Sequence, residues 1–443
     1  MKKTMSLCLM VIISIIFSAC GTTSTPKDTP ATQNPINSNT ASPAQPKEVA
    51  LKIGLPGAYD VTKKEIIDGF KTKYPYIKLE IEEAPWGDFA TKITPELAGG
   101  TPPDVWFQEN AVILSYGKRG VAEDLMPYIE KDLKLDDYTS ALFAAKTEDG
   151  KVWGIPHGLN PSTMIYNKKL FDDAKIPYPT KDWTYEQMLD IARKLTKDTN
   201  GDGKSDVYGL IVTSAITSGW FPWAKSAGGG ILDETKTKAI VDDPKTIEGL
   251  KQWVDTMKTG LAPTPDVVKV NGGGDQMFGQ DKVAMMPLQY SAQAGLNKNF
   301  PDLDYDALEM PIGWDGKRVV PLVTNSWVIF SKAKQEVKDA AWEFLKYYLS
   351  DEAQQLLAAS GAALPVKKSA MEKLDVSTKP QNKLAYANGV EEAGITTDEN
   401  ASWQEWRLAA QPIFTDMYNM VIAPEEGAKR IQTKIQDVLD RNK

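Results

Sequence analysis

Apolar and polar positions along the body of the chain follow two periods. Val49-Ala50-Leu51-Lys52-Ile53-Gly54-Leu55 reads as a strand ending in the turn signal Pro56-Gly57. Ile77-Lys78-Leu79-Glu80-Ile81-Glu82 alternates strictly, as a half-buried strand does. Between them, Thr62-Lys63-Lys64-Glu65 has the spacing of a capping box; Ile66, Ile67 and Phe70 share one helical face, and Pro75 closes the helix. A short helix through Phe89, Ile93 and Leu97 leads to Gly99-Gly100-Thr101-Pro102-Pro103 and the strand Asp104-Val105-Trp106-Phe107. Thr184 opens another capped helix, with Gln187 three positions on, and Trp342 to Leu349 lies in an amphipathic one. The C-terminal region is helical in pattern, with Ile431, Ile435, Val438 and Leu439 as its stripe. Such alternation predicts an α/β fold in layers with a largely parallel sheet, and no internal repeat is visible.

The first residues follow another rule. Lys2-Lys3, an apolar run from Met5 to Phe17 and Ser18-Ala19-Cys20-Gly21 form the pattern of a signal peptide over 1–19, too short to span a bilayer. The Ser-Ala-Cys-Gly ending resembles a bacterial lipobox, with Phe17 where Leu is usual. That resemblance implies diacylglycerol on Cys20, palmitate-type acylation and a protein held at the outer face of the cell membrane. Two acyl chains, at about 0.8 kcal/mol per buried methylene, anchor stably where one does not. Residues 21–47 are rich in Thr, Ser, Asn, Gln and Pro and nearly devoid of apolar side chains, so 20–47 reads as a lipidated cysteine and a disordered tether. Its random-coil reach is roughly 30 Å.

Composition narrows the chemistry. Of 443 residues, 42% are hydrophobic and 25% charged, which excludes collagen-like, fully disordered and disulfide-rich classes. The formal charge of −8, or −10 once Lys2 and Lys3 leave with a leader, argues against nucleic-acid binding. Both cysteines, Cys8 and Cys20, precede the body, so the body has no disulfide, thiolate nucleophile or zinc thiolate site. A lone His157 disfavours Ser-His-Asp triads and His-cluster metals, though a glycosidase working with two carboxylates survives.

Seven segments then occur in a telling order. They are Phe70-Lys71-Thr72-Lys73-Tyr74-Pro75-Tyr76-Ile77-Lys78-Leu79, Ala98-Gly99-Gly100-Thr101-Pro102-Pro103-Asp104-Val105, and Gly150-Lys151-Val152-Trp153-Gly154-Ile155-Pro156. Met164-Ile165-Tyr166-Asn167-Lys168-Lys169-Leu170-Phe171, Trp183-Thr184-Tyr185-Glu186 and Asp198-Thr199-Asn200-Gly201-Asp202-Gly203-Lys204 come next. The last pairs Ala340-Ala341-Trp342-Glu343-Phe344-Leu345-Lys346 with Asp351-Glu352-Ala353-Gln354. Together they resemble the extracellular solute-binding proteins of carbohydrate ABC transporters, the maltose-binding-protein-like family. The resemblance implies a two-lobed periplasmic-binding-protein-like II fold with discontinuous lobes and a hinge. It places one lobe at 48–156 and 318–357 and the other at 157–317 and 358–443.

A sugar cleft needs aromatic faces interleaved with polar groups. Trp220 and Trp223 in a Gly-flanked loop, Trp86 in Pro85-Trp86-Gly87, and Trp403 in a polar context are the candidate stacking rings. Glu109 follows a strand where the resemblance implies an acid or amide on the sugar, and also reads as a helix N-terminal acid. His157 follows the hinge-like Gly154-Ile155-Pro156, a place from which its imidazole would face the ligand. Tyr290 and Asn325 stand where the chain departs from the family's Gly-Ser-Trp and glycine-rich segments. Asp198, Asn200, Asp202, Lys204 (by its carbonyl) and Asp206 match the first half of a calcium loop with Gly203 sixth, but Gly209 replaces the bidentate Glu at position twelve. A structural calcium ion and a solvated Asx-rich turn are both open readings of this loop. The expected function is capture of a solute, a sugar or oligosaccharide, by a monomer that delivers it to ABC permease subunits. A surface-anchored glycosidase is the alternative; no segment resembles its acid pair.

Overall fold

A computed structural model describes residues 47–56 and 62–443. The leader and tether, including Cys20, lie outside the described residues, as does the side chain of Trp86. Strands β1 (Val49–Pro56), β2 (Ile77–Ala84) and β3 (Val105–Glu109) pair in parallel, with β1 in the middle. The alternating apolar positions of β1 put Leu51 and Ile53 fully inside, against Phe70 and Phe107.

Two longer strands carry the chain away from this sheet. β4 (Ile155–Asn167) pairs antiparallel along its first half with β7 (Val320–Ile329), matching Ile155 to Trp327 and Pro161 to Leu322. Its second half pairs antiparallel with β5 (Met285–Gln289) and β6 (Tyr305–Leu308). β7 in turn meets β3, placing Glu109 opposite Asn325, and its start pairs with β8 (Gly394–Ile395). The path is β2-β1-β3-β7-β4-β5. The largely parallel sheet expected from sequence is therefore a mixed one. Among the described strands, parallel pairing holds at β1–β2, β1–β3 and β7–β8, while β4 and β7 run in opposite senses between the two ends.

Five helices build or support the junction between these two ends: α1 (Asn110–Lys118), α2 (Trp220–Ser226), α3 (Leu384–Ala393), α4 (Trp403–Tyr418) and α5 (Pro424–Arg441). α3 packs on β4, β6 and β7, while α4 and α5 pack on each other. The stripe Ile431, Ile435, Val438 and Leu439 of α5 is buried as its spacing requires. It joins an apolar cluster on the β5 side that holds Trp183, Trp253, Trp406 and Phe414. The Thr184 cap forms in full, with Thr184 Oγ1 accepting from Gln187 N–H and Gln187 Oε1 from Thr184 N–H. The Thr62 segment instead begins as a wide π-turn, Thr62–Ile66, before the α-helix Ile67–Lys73.

Backbone pairing also ties residues just beyond 357 to the β1 side. Thr139 N–H donates to Val366 O, Tyr138 bridges Lys367, and Lys368 Nζ reaches Asp136 O, so 364–368 stays with 136–139 on the β1 side. The same segment explains Gly158. A Cβ there would sit 2.5 Å from Ala363 Cβ and 3.3 Å from Leu364 O, and the β4–β7 register shifts at this point.

His157, expected from its hinge-like context to face outward, is turned into the core. It is 2% exposed, stacked among Phe107 (4.5 Å), Tyr348 (5.3 Å) and Trp327 (5.8 Å), and Tyr348 Oη donates to its carbonyl. As a residue of β4 beside β7 it turns into the core. Burial pushes its imidazole pKa down to about 3, from a usual value near 6.5. The unfolded chain then binds a proton that the folded one refuses between those values, so stability is complete above pH 6.5 and falls as pH drops toward 3. Urea denaturation of wild type and His157→Phe at pH 7 and pH 5 checks this: the wild type loses on the order of 1–2 kcal/mol more than the variant on acidification.

Candidate functional site

The end of β3 and the start of α1 bring one set of polar groups to the junction between the two sides. Glu109 is the last residue of β3, opposite Asn325 on β7, with its N–H held by Gln108 Oε1 at 3.0 Å. Asn110 begins α1 and is 1% exposed, yet neither its amide nitrogen nor its amide oxygen has a hydrogen-bond partner. The next residue, Ala111, belongs to the apolar cluster of the β5 side, and α1 packs on α4. Thus a helix that starts from the β1 sheet buries its first turn against the opposite side.

The opposite wall is α4 and the segment before it. Trp403 donates Nε1–H to Thr397 Oγ1 at 3.2 Å, and Trp406 donates to Asn400 Oδ1. Arg407 lies 4.6 Å above the Trp403 ring, one helical turn on, and donates to Gln404 while its Nε has no partner. Glu399 is 8% exposed with Oε2 unpartnered. Burial raises the Glu109 carboxyl above the usual range, with Arg407 offsetting part of the rise. Burial likewise pushes Glu399 up to about 8; Lys236 and Thr397 oppose the shift and Glu109 reinforces it. Of these groups Glu399 lines a cavity of about 500 Å3, walled by Trp153 and by Lys118 toward the end of α1 on one side and by Lys236, Glu399, Asn400 and Ser402 on the other. Its size is in the range of small-ligand sites.

The aromatic candidates divide. Trp403 lies in this junction. Trp220 stacks on Phe414 at 3.5 Å and leaves its Nε1 buried without a partner. Trp223 is not a stacking ring of an open loop, because 220–226 is a helix, and it turns Trp223 inward against Tyr185 (5.1 Å) and Trp314 (6.2 Å). Tyr290 is also corrected. It is 1% exposed, meets the Tyr386 ring edge-on at 5.3 Å, and is part of the core. Asn110, Glu399 and Arg407 join the site without having stood out in the sequence. Arg407 had a signal, since four residues after Trp403 on a helix is the same face; Glu399 had none, because its burial comes from segments distant in sequence.

The 198–206 loop sits apart from this junction. Asp198 accepts from Gly201 and Gly203 N–H, Asn200 from Asp202 N–H, and Asp202 from Lys204 N–H. Asp206 accepts from Thr199 N–H and Oγ1 and from Asn200 Nδ2. These are Asx turns, and among the described residues no three His, Cys, Asp or Glu side chains gather as metal ligands would.

Comparison with known proteins places this geometry. Residues 65–384 match the sequence profile of the family described as bacterial extracellular solute-binding protein. A Brucella abortus chain described only as a binding protein is 26% identical over 306 residues, covering 69% of this chain and 72% of that one. The diacetylchitobiose-binding protein of Streptomyces coelicolor is 23% identical, over 80% of this chain and 81% of its own length. The structure of a Listeria monocytogenes ABC substrate-binding protein in complex with cycloalternan superposes with a TM-score of 0.76 at 22% identity, covering 89% of this chain and 100% of that one. Maltose-bound MalE3 of T. maritima gives 0.71 at 19% identity, over 88% and 99%. The two sheets joined by crossing strands thus form the two-lobed solute-binding fold, and the chain belongs to the bacterial extracellular solute-binding protein family.

Proposed function

We propose that this protein captures a neutral saccharide between its two sides and hands it to an ABC importer without altering it. The observation that carries this reading is the set of buried polar atoms left without partners at the junction. Asn110 at the start of α1, and Glu399 Oε2 and Arg407 Nε at and before α4, which packs on α1, are such atoms. Leaving such atoms unmade costs about 1–3 kcal/mol each, a cost that a ligand rich in hydroxyls removes. Glu109 and Glu399 are balanced by Arg407 and Lys236, which suits an uncharged ligand. Relatives whose names specify maltotriose or diacetylchitobiose support the same class. The lobe division is part of the proposal, with β4 and β7 as the hinge and closure selected by the ligand that bridges both walls.

A thermal-shift panel of maltotriose, diacetylchitobiose, mannotriose, tagatose and erythritol tests it. A sugar at 100 times its Kd adds about 2.7 kcal/mol of stability, and chromatography should recover it chemically unchanged. Glu109→Ala and Trp403→Ala should each weaken calorimetric binding by about 1–3 kcal/mol. A panel without a single shift, or a consumed sugar, overturns the reading.

Two further expectations remain proposals. The lipid anchor on Cys20 predicts that Cys20→Ser releases the body from membranes or leaves it as precursor, while sugar binding is unchanged; lipid-labelled Cys20→Ser protein in the membrane fraction would refute it. The calcium reading of 198–206 rests on oxygens at alternate positions, with Asp206 now committed to Thr199 and Asn200. If calcium binds there, chelator lowers the melting temperature of wild type but not of Asp198→Ala. An unchanged wild type leaves the loop as an Asx turn.

A further inference from the structure

The cavity at the junction has one wall carboxyl, that of Glu399, which Thr397 holds by its side chain and backbone while one oxygen stays open. Glu399 precedes α4, is 8% exposed, and keeps Oε2 unpartnered while lining the 500 Å3 space. An ionised carboxylate in that position calls for a cation. Lys236, from the 232–239 hairpin, is the cation that acts on it, and Arg407 of α4 acts on Glu109 instead. The other charges of the cavity wall are committed elsewhere or remain at the rim. Lys118 of α1 donates to Asn442 O at 2.7 Å, and Lys146 lies 5.5 Å over Phe143. Asp149 pairs with Lys151 at 2.9 Å and Lys443 with Asp440 at 2.6 Å. Glu148 adds a further negative charge to the wall. From the end of β3, Glu109 adds a like charge across the junction.

We infer that Glu399 determines specificity as a neutral carboxylic acid, donating a hydrogen bond from Oε2 to a hydroxyl or ring oxygen of an uncharged saccharide. This role rests on the saccharide reading above. A protonated carboxyl is both donor and acceptor, so it satisfies a sugar oxygen that neither Glu109, Asn110 nor Arg407 supplies from its own position. Its raised pKa agrees, since both burial and the facing Glu109 favour the neutral form. A ligand ammonium group would need the opposite charge state.

Two arms test the inference. In the unliganded protein, the acid is neutral when folded up to about pH 8 but ionises in the unfolded chain near pH 4.3. Its contribution to stability is therefore complete below about pH 4 and is lost as pH rises through 8, a loss that Glu399→Gln removes. Urea curves of wild type and Glu399→Gln should diverge between pH 5 and pH 8. In the second arm, maltotriose, diacetylchitobiose and mannotriose are titrated calorimetrically. Wild-type affinity should fall about tenfold between pH 7 and pH 9, Glu399→Gln affinity should not vary with pH, and Glu399→Ala should lose about tenfold or more at pH 7. Parallel urea curves, or a bound saccharide whose affinity ignores both pH and Glu399→Ala, overturn the role while leaving solute capture standing. If none of the three sugars binds wild type, the saccharide reading falls and takes this role with it.

Discussion

The structure depends on the antiparallel pairing of β4 with β7. Each strand is longer than one sheet needs, so each serves two. β4 spends Ile155 to Pro161 on β7 and Ser162 to Asn167 on β5 and β6; β7 spends its second half on β3. Because the two strands pair from Ile155–Trp327 to Pro161–Leu322, with one register shift at His157, the two sides are joined by paired backbone rather than by loose linker. The pairing is buried on both faces. His157, Phe107, Trp327 and Tyr348 fill one, and the 358–366 segment presses close enough on Gly158 to leave no room for a side chain.

That arrangement fixes where polar groups end up. Since β3 lies beside β7, its last residue Glu109 points the chain into the junction, and α1 begins there with Asn110 buried. Across from it, α4 supplies Trp403 and Arg407 on one face, and the residues just before it supply Glu399. A hydrophobic core would exclude such atoms unless they were paired. At this junction Asn110, Glu399 and Arg407 keep such atoms unpartnered beside a cavity, and Thr139, Trp253 and Gln293 do so elsewhere in the interior. Other buried polar groups find partners, as Thr246 does with Gly230 O and Ile240 O.

The two acids of the junction differ in a way that matters for recognition. Glu109 has Arg407 near it; Glu399 has Lys236 and the competing charge of Glu109. Each ionised carboxylate disfavours ionisation of the other, which adds to burial in raising Glu399.

The sequence by itself determined the local elements and the family. Strict alternation fixed β2, the Thr184–Gln187 spacing fixed a capping box, and the α5 stripe was buried as its period demanded, because these depend on neighbours within a few residues. Seven ordered motifs pointed to the solute-binding family that the profile over 65–384 shows. Glu109, Asn325, Trp220 and Trp403 were legible as polar or aromatic residues in unusual contexts, and the first two prove to be partners across β3 and β7. What only the tertiary structure decided was direction and burial. A strand's sequence does not state whether its neighbour runs parallel, and β4 and β7 made the sheet mixed. Nor does a sequence show which face of a short element turns inward, so His157, Trp223 and Tyr290 went to the core. Glu399 shows the same limit from the other side, since the cavity it lines is walled also by Trp153 and Lys236, which no local pattern connects to it.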